Sequence, residues 1–402
     1  MEAAIDNFPP HVSRLNPLAP GVAMDPFPIY KELRESGPVV WLESLGVWGV
    51  FRDAMVRQLA NDLELFTAEG GTGLQNYFRE KPWREPSPIL EVDPPVHTRR
   101  RSILTRILSP GALNKLKSQF SASAESIVGR IVERGTFDGI ADYAKAFPMQ
   151  VFLDAVGVPD GERENVLLYN DLVRKSRTVK LSDWDSTDRD AAEAMAKWID
   201  KFCSRKSVAE GSFGAYLYAA VDNGELDEHE ADVLLRSFVS AGTETTIAAI
   251  GNTLYCLASH PDQWAIVKAD PTKARAAFEE SLRFDPPAQF LGRCARKEFV
   301  WEGVRIGQHD KILGFISAAN RDPDRWSDPD KYLIDRNTVG HLGLGTGIHG
   351  CVGQMLARLE GEILLKALIE RVNAIEVVGE PVRNQSGFRG FKSLPMRVQV
   401  QS

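Results

Sequence analysis

The stretch His341–Leu368, HLGLGTGIHGCVGQMLARLEGEILLKAL, decides how the rest of the chain is read. Its first half is a loop in which glycines crowd around Cys351, with Gly353 two residues on. Glycine permits positive φ and a close approach of backbone to a flat partner. The second half has apolar residues at helical spacing, so a helix is expected just after the cysteine. A cysteine there meets free N–H groups and the positive end of the helix dipole, which favour a thiolate. A lone cysteine is ordinarily a small buried hydrophobe. Cys203, Cys256 and Cys294 are read that way, and the glycines set Cys351 apart.

Upstream lies a predicted helix from Lys273 to Phe284, stopped before Pro286-Pro287. Glu280 and Arg283 share one of its faces and can pair. On a surface such a pair is worth little. The longest predicted helix starts near Asp227, where Glu230 completes a capping box, and ends before Pro261. Its middle, SFVSAGTETTIAAIGNTLYCLA from Ser237, is nearly uncharged and belongs in a core. Glu244 is costly there unless paired or used. Gly242 is expected to open the helix ladder locally. Short strands are predicted at Val39–Trp41 and Val47–Val50 with Gly46 near the turn, and late in the chain at Val304–Ile306, Lys311–Phe315 and Pro395–Val400.

The 402 residues are 43% hydrophobic, ample for a large core, and no repeat or linker divides them, so one domain over 1–402 is expected. The net charge of -7 gives no support for a nucleic-acid partner. Four cysteines without C-x-x-C spacing make neither a disulfide framework nor a zinc site, and fit a reducing compartment. The proline-rich start offers no leader, and no run of about 20 apolar residues is present. A cytoplasmic protein without a membrane segment is expected.

Taken together, these motifs resemble those of the cytochrome P450 family, in family order from about Asp25 to Leu394. The loop matches the family's haem-binding pattern at Gly345, Gly347, His349, Cys351 and Gly353, with Leu344 where the family usually has Phe. The resemblance implies a mainly α fold with small β-sheets, shaped as a triangular prism. Haem b would lie between the long helix and the helix after Cys351. Cys351 would be the axial ligand of the iron, a thiolate that favours O–O cleavage. It implies that Glu280 and Arg283 form a buried structural pair with a meander near NRDPDRW from Asn320, and that Glu244 and Thr245 serve oxygen activation. His97, Arg101, Arg293 and His349 would hold the haem propionates.

KPWREPSPILEVDPPVHTR from Lys81, RSFVSAG from Arg236 and GFRGFKSLP near the end resemble a group of bacterial P450s that oxidises para-substituted benzoates. That likeness implies a substrate carboxylate held by Arg84, Ser87, Ser237 and Ser240, with Leu90, Ala241, Ala288 and Leu291 lining the pocket. Ser237 and Ser240 stand one helical turn apart, with Ala241 and Glu244 expected to continue their face. Two departures point to a larger or more polar pocket. Arg174, Lys175 and Arg177 stand where that group has aromatic residues, and Leu291 stands where it has phenylalanine. The activity implied is that of a monooxygenase taking dioxygen and two electrons from a ferredoxin and its reductase, and hydroxylating or O-demethylating an acid such as 4-methoxybenzoate. Arg99, Arg100, Arg106, Lys115 and Lys117 are candidate contacts for the acidic partner. The alternatives are a P450 for a different substrate, a peroxide-driven peroxygenase, and a non-catalytic haem-binding protein.

Overall fold

The computed structural model describes residues 11–384 and 387–400. The predicted long helix runs over Glu228–Ser259. Asp227 accepts from the Glu230 N–H and the Glu230 side chain returns to the Asp227 N–H, so the capping box is closed at both ends. Its apolar middle is buried on nearly every side. The helices Ala146–Val156, Glu164–Thr178, Phe213–Asp222, Ala274–Phe284 and Gln354–Arg371 pack around it. The helix Pro110–Arg134 packs in turn on Gln354–Arg371, and the main hydrophobic core fills the space between them. The predicted helix from Lys273 begins at Ala274, after a single turn at Pro271–Lys273.

The strands form small sheets at the margin of this helical mass. The largest has six strands in the order His11–Ser13, Val40–Leu42, Val47–Val50, Lys311–Gly314, Leu291–Ala295, Phe66–Thr67. The predicted hairpin is its second and third strands, paired antiparallel with Trp41 opposite Trp48. Val47–Val50 then pairs in parallel with Lys311–Gly314, which pairs antiparallel with Leu291–Ala295. Residues 264 positions apart are thereby locked in register, and Arg293 is placed opposite Ile312 at the edge of the central cavity. Val372–Val377, Pro395–Val400 and Thr136–Asp138 make a second sheet. The predicted strands at Val304–Ile306 and Pro395–Val400 are present. Mainly helical with small sheets, the fold is the one expected. No described helix is long and apolar enough to cross a membrane.

Candidate active site

Cys351 lies between the glycine loop and the helix that starts at Gln354. Gly345 and Gly347 have φ of 73° and 66°, which a side chain rarely tolerates. Their turns let the Cys351 N–H donate to Leu344 O at 2.8 Å. Burial pushes the Cys351 thiol up from its ordinary value, while the Gly353 N–H, Arg101 and Arg358 pull it down. The net shift is upward, so the helix terminus alone does not produce the thiolate expected from sequence. Metal coordination deprotonates a thiol outright.

Cys351 opens into a cavity of about 330 Å³. One side is the cysteine loop with Leu344, Gly345 and Val352; the other is the long helix with Ser237, Ala241, Thr245 and Ala249. Arg101, Arg293 and His349 line its rim. The His97 ring lies 4.5 Å from that of His349, centroid to centroid, with the planes tilted by 58°. None of the four ring nitrogens of this buried pair has a hydrogen-bond partner among the described residues. His349 Nε2 is 3.6 Å from Asp93 Oδ1, too far for a hydrogen bond. Burial, joined by the charges of His349 and Arg101, pushes His97 down to about 4. Arg293 is buried, and its guanidinium donates to the carbonyl of Gly292 at 2.8 Å. Arg101 donates to Gly350 O. Unused donors buried at one rim call for acceptors, and the carboxylates of a haem seated over Cys351 fit that demand. No cluster of three or more His, Cys, Asp or Glu able to hold a metal ion occurs among the described residues.

Every residue assigned from sequence to the substrate pocket lines this cavity: Arg84, Ser87, Leu90, Ser237, Ser240, Ala241, Ala288 and Leu291. Their hydroxyls are not equivalent. Ser87 Oγ and Ser237 Oγ are 3.1 Å apart, across 150 residues of chain. Ser240 Oγ instead donates to Asn170 Oδ1 at 2.6 Å, and Asn170 Nδ2 donates to Thr243. Arg84 is an ion-pair member, 3.4 Å from Glu91.

Thr245 faces the cavity, and its hydroxyl donates to Ala241 O at 2.7 Å. Glu244 does not line the cavity, contrary to the face expected for it. The helical rotation turns it toward Glu164–Thr178, where Arg174 Nε meets its Oε1 at 3.0 Å. Burial pushes the Glu244 carboxyl up to about 8, with Arg174 opposing and Asp171 adding to the shift. Glu244 Oε2 is buried without a hydrogen-bond partner among the described residues. Gly242 also departs from expectation. The helix is unbroken there, and a Cβ at Gly242 would lie 2.2 Å from the Phe152 ring. Its smallness admits that ring and opens no ladder.

Glu280 and Arg283 pair below the cysteine loop at 2.7 Å with no exposed surface. Arg283 reaches the carbonyls of Asn320, Pro329 and Lys331, so the pair does join the meander from Asn320. Three of the candidate docking cations take part in ion pairs within the chain. Arg99 and Arg100 bind Glu230, and Arg106 binds Glu225 at 2.8 Å. Lys115 and Lys117 remain exposed.

Sequence reasoning missed Glu91, Tyr77, Asn170, Phe290 and Phe388. Glu91, Tyr77, Phe290 and Phe388 line the cavity from three separate segments; Glu91 and Phe388 fall inside the quoted stretches, where only their neighbours were given roles. Of the suspect cations, Arg177 lines the cavity, while Arg174 is taken up by Asp171 and Glu244.

The family model for cytochrome P450 matches residues 273–400. Cytochrome P450 CYP199A2 of Rhodopseudomonas palustris is 43% identical over 391 residues, covering 97% of this chain and 94% of its own. The structure of cytochrome P450 CYP109Q5 from Chondromyces apiculatus superposes with a TM-score of 0.81 at 28% identity, over 96% of this chain and 99% of that one. CalO2 gives 0.85 at 25% identity with the same coverage. The chain belongs to the cytochrome P450 family: it is a haem-dependent monooxygenase that takes dioxygen and electrons from a redox partner.

Proposed function

We propose that the chain oxidises a small aromatic carboxylic acid of the para-substituted benzoate type, by hydroxylation or O-demethylation. One observation carries the reading: a single cavity joins Cys351 to a polar end containing Arg84, Ser87 and Ser237, with Leu90, Ala241, Ala288 and Leu291 as its apolar walls. An acid anchored at the polar end directs its opposite ring substituent at Cys351, and fixed orientation of this kind accounts for much of a catalyst's advantage. The apolar walls keep water from the ring.

Cys351 would ligate the iron, and His97, Arg101, Arg293 and His349 would take the propionates. Haem, when bound, supplies dioxygen activation and the transfer of one oxygen atom to a C–H bond. The chain's own part is to position substrate and to supply protons. Glu244, its carboxyl raised to about 8, holds a proton at Oε2 near neutral pH while Arg174 fixes Oε1. The Thr245 hydroxyl, on the cavity face one residue later, can pass a proton inward after releasing Ala241 O. Electrons come from a ferredoxin with its reductase. Residues 1–402 form one P450 domain in this reading, working in the cytoplasm.

The test is a Soret-band titration of the purified holoprotein with 4-methoxybenzoate and its neutral methyl ester. A low-to-high-spin shift with the acid alone, and release of formaldehyde on turnover, are expected. A thiolate-haem spectrum that ignores both compounds would keep the monooxygenase and remove the benzoate substrate.

A further inference from the structure

At the polar end of the cavity Arg84 and Arg177 stand beside a single lining carboxylate, Glu91. Glu91 accepts the Ser87 N–H at 2.7 Å and the Tyr77 hydroxyl at 3.1 Å. Burial pushes its carboxyl up, but Arg84 and these donors outweigh it and hold Glu91 below the usual carboxylate range. Glu91 is therefore ionised, and at 3.4 Å it cancels Arg84. Arg177 is the second cation at this end. Its Nη2 donates to Phe290 O at 3.0 Å, and Nη1 lies 3.4 Å from Thr72 Oγ1. The guanidinium carbon is 5.3 Å from the ring centroids of both Phe290 and Phe388. These partners fix its orientation and bring no negative charge. Among the described residues no carboxylate lies within salt-bridge range of it. A desolvated cation is costly until an anion arrives, and a planar guanidinium suits a carboxylate.

We infer that Arg177 is the residue that binds the anionic group of the substrate, and that Arg84 is a scaffold residue neutralised by Glu91. The substrate class is a monoanionic carboxylic acid whose carboxylate faces Arg177 and whose other end faces Cys351. The inference deepens the aromatic-acid reading and rests on it only for the aromatic ring; the charge count holds for any acid of suitable length. Ser87 and Ser237, already paired with each other, act as secondary donors.

The experiment is a spectral titration of the wild-type holoprotein and of Arg177→Gln, Arg177→Lys and Arg84→Gln. The probes are 4-methoxybenzoate, its methyl ester and straight-chain fatty acids of graded length. Loss of a buried charge partner weakens binding by about 30-fold or more. Arg177→Gln is therefore expected to lose acid affinity on that scale, to hold the ester within about 3-fold, and to be partly restored by Arg177→Lys. Acid affinity in Arg177→Gln within about 3-fold of wild type overturns the inference and leaves the benzoate reading standing. So does an equal loss for acid and ester, which marks a packing role. Binding of fatty acids but not benzoates, lost in Arg177→Gln, upholds the inference and removes the benzoate reading. A wild-type protein that binds no carboxylate of either kind overturns both.

Discussion

Arg283 lies 2.7 Å from Glu280 with neither side chain exposed to solvent, and Arg336 reaches the same carboxylate at 3.2 Å. Glu280 also accepts the Leu333 N–H at 3.0 Å, so one carboxylate ties the helix under the cysteine loop to the meander. Breaking a buried pair from one side leaves the other charge uncompensated, at about 3–5 kcal/mol. Glu280→Ala is expected to lose stability on that scale and to shed haem. The check is a denaturant melt followed by circular dichroism beside the Soret band, and a variant as stable as wild type would contradict the bracing role.

A smaller change on the long helix tests the Gly242–Phe152 contact. With a Cβ 2.2 Å from the ring, Gly242→Ala must displace Phe152. Overpacking of this kind costs about 1–3 kcal/mol. The double variant with Phe152→Leu is expected to recover part of that loss, and additive losses in a double-mutant cycle would place the strain elsewhere.

Glu244 carries a pH dependence whose sign follows from its shift. Its folded value, about 8, lies above its ordinary value of 4.5. Between those values the unfolded chain has released a proton that the folded chain keeps, so this group lowers stability as pH rises. The advantage it gives is full below pH 4.5 and gone above about 8. Glu244→Gln is expected to flatten this component: its stability relative to wild type rises from pH 5 to pH 8. Coupling of reductant to product in wild type should fall as pH passes 8 and should be low at every pH in the variant. Parallel stability curves would show that Glu244 is ionised throughout.

The two serine hydroxyls at 3.1 Å make a paired donor–acceptor unit. Removing one leaves the other half-satisfied, a change of about 0.5–1.5 kcal/mol in a neutral hydrogen bond. Ser237→Ala is expected to weaken 4-methoxybenzoate by several-fold, and Ser87→Ala to match it. Ser240→Ala should act instead through Asn170, in protein stability with little change in acid affinity.

Much of this was legible in the primary structure because it is local. The capping box at Asp227, the stop before Pro286 and the hairpin about Gly46 each depend on a handful of neighbouring residues, and each stands where it was read. Motif residues with rigid chain positions, such as Cys351 and Ser237, reached the cavity for the same reason. What failed was orientation. Glu244 was put on the face of Ser237, yet it turns to Arg174, and the Ser240 hydroxyl, though on the cavity, is engaged by Asn170, because these partners come from another helix. A sequence also does not show that Arg99 and Arg100 share the carboxylate of Glu230 and that Arg106 pairs with Glu225. Charge balance at the polar end needed Glu91, Arg84 and Arg177 in one place, and they are up to 93 positions apart.

Glu230 has a consequence beyond capping. The same carboxylate that closes the N-terminus of the long helix grips Arg99 and Arg100, on the helix that carries His97 and Arg101. The haem-side helix and the oxygen-side helix are thus clasped at one corner and form a fixed jaw. Among the described residues the Glu164–Thr178 helix carries no such ion pair to the haem-side helix, and Arg177 stands near its end. That helix is fastened instead to the long helix, through Asn170 with Ser240 and Thr243 and through Arg174 with Glu244, so the long helix is the common spine on which the haem side and the substrate side are both hung.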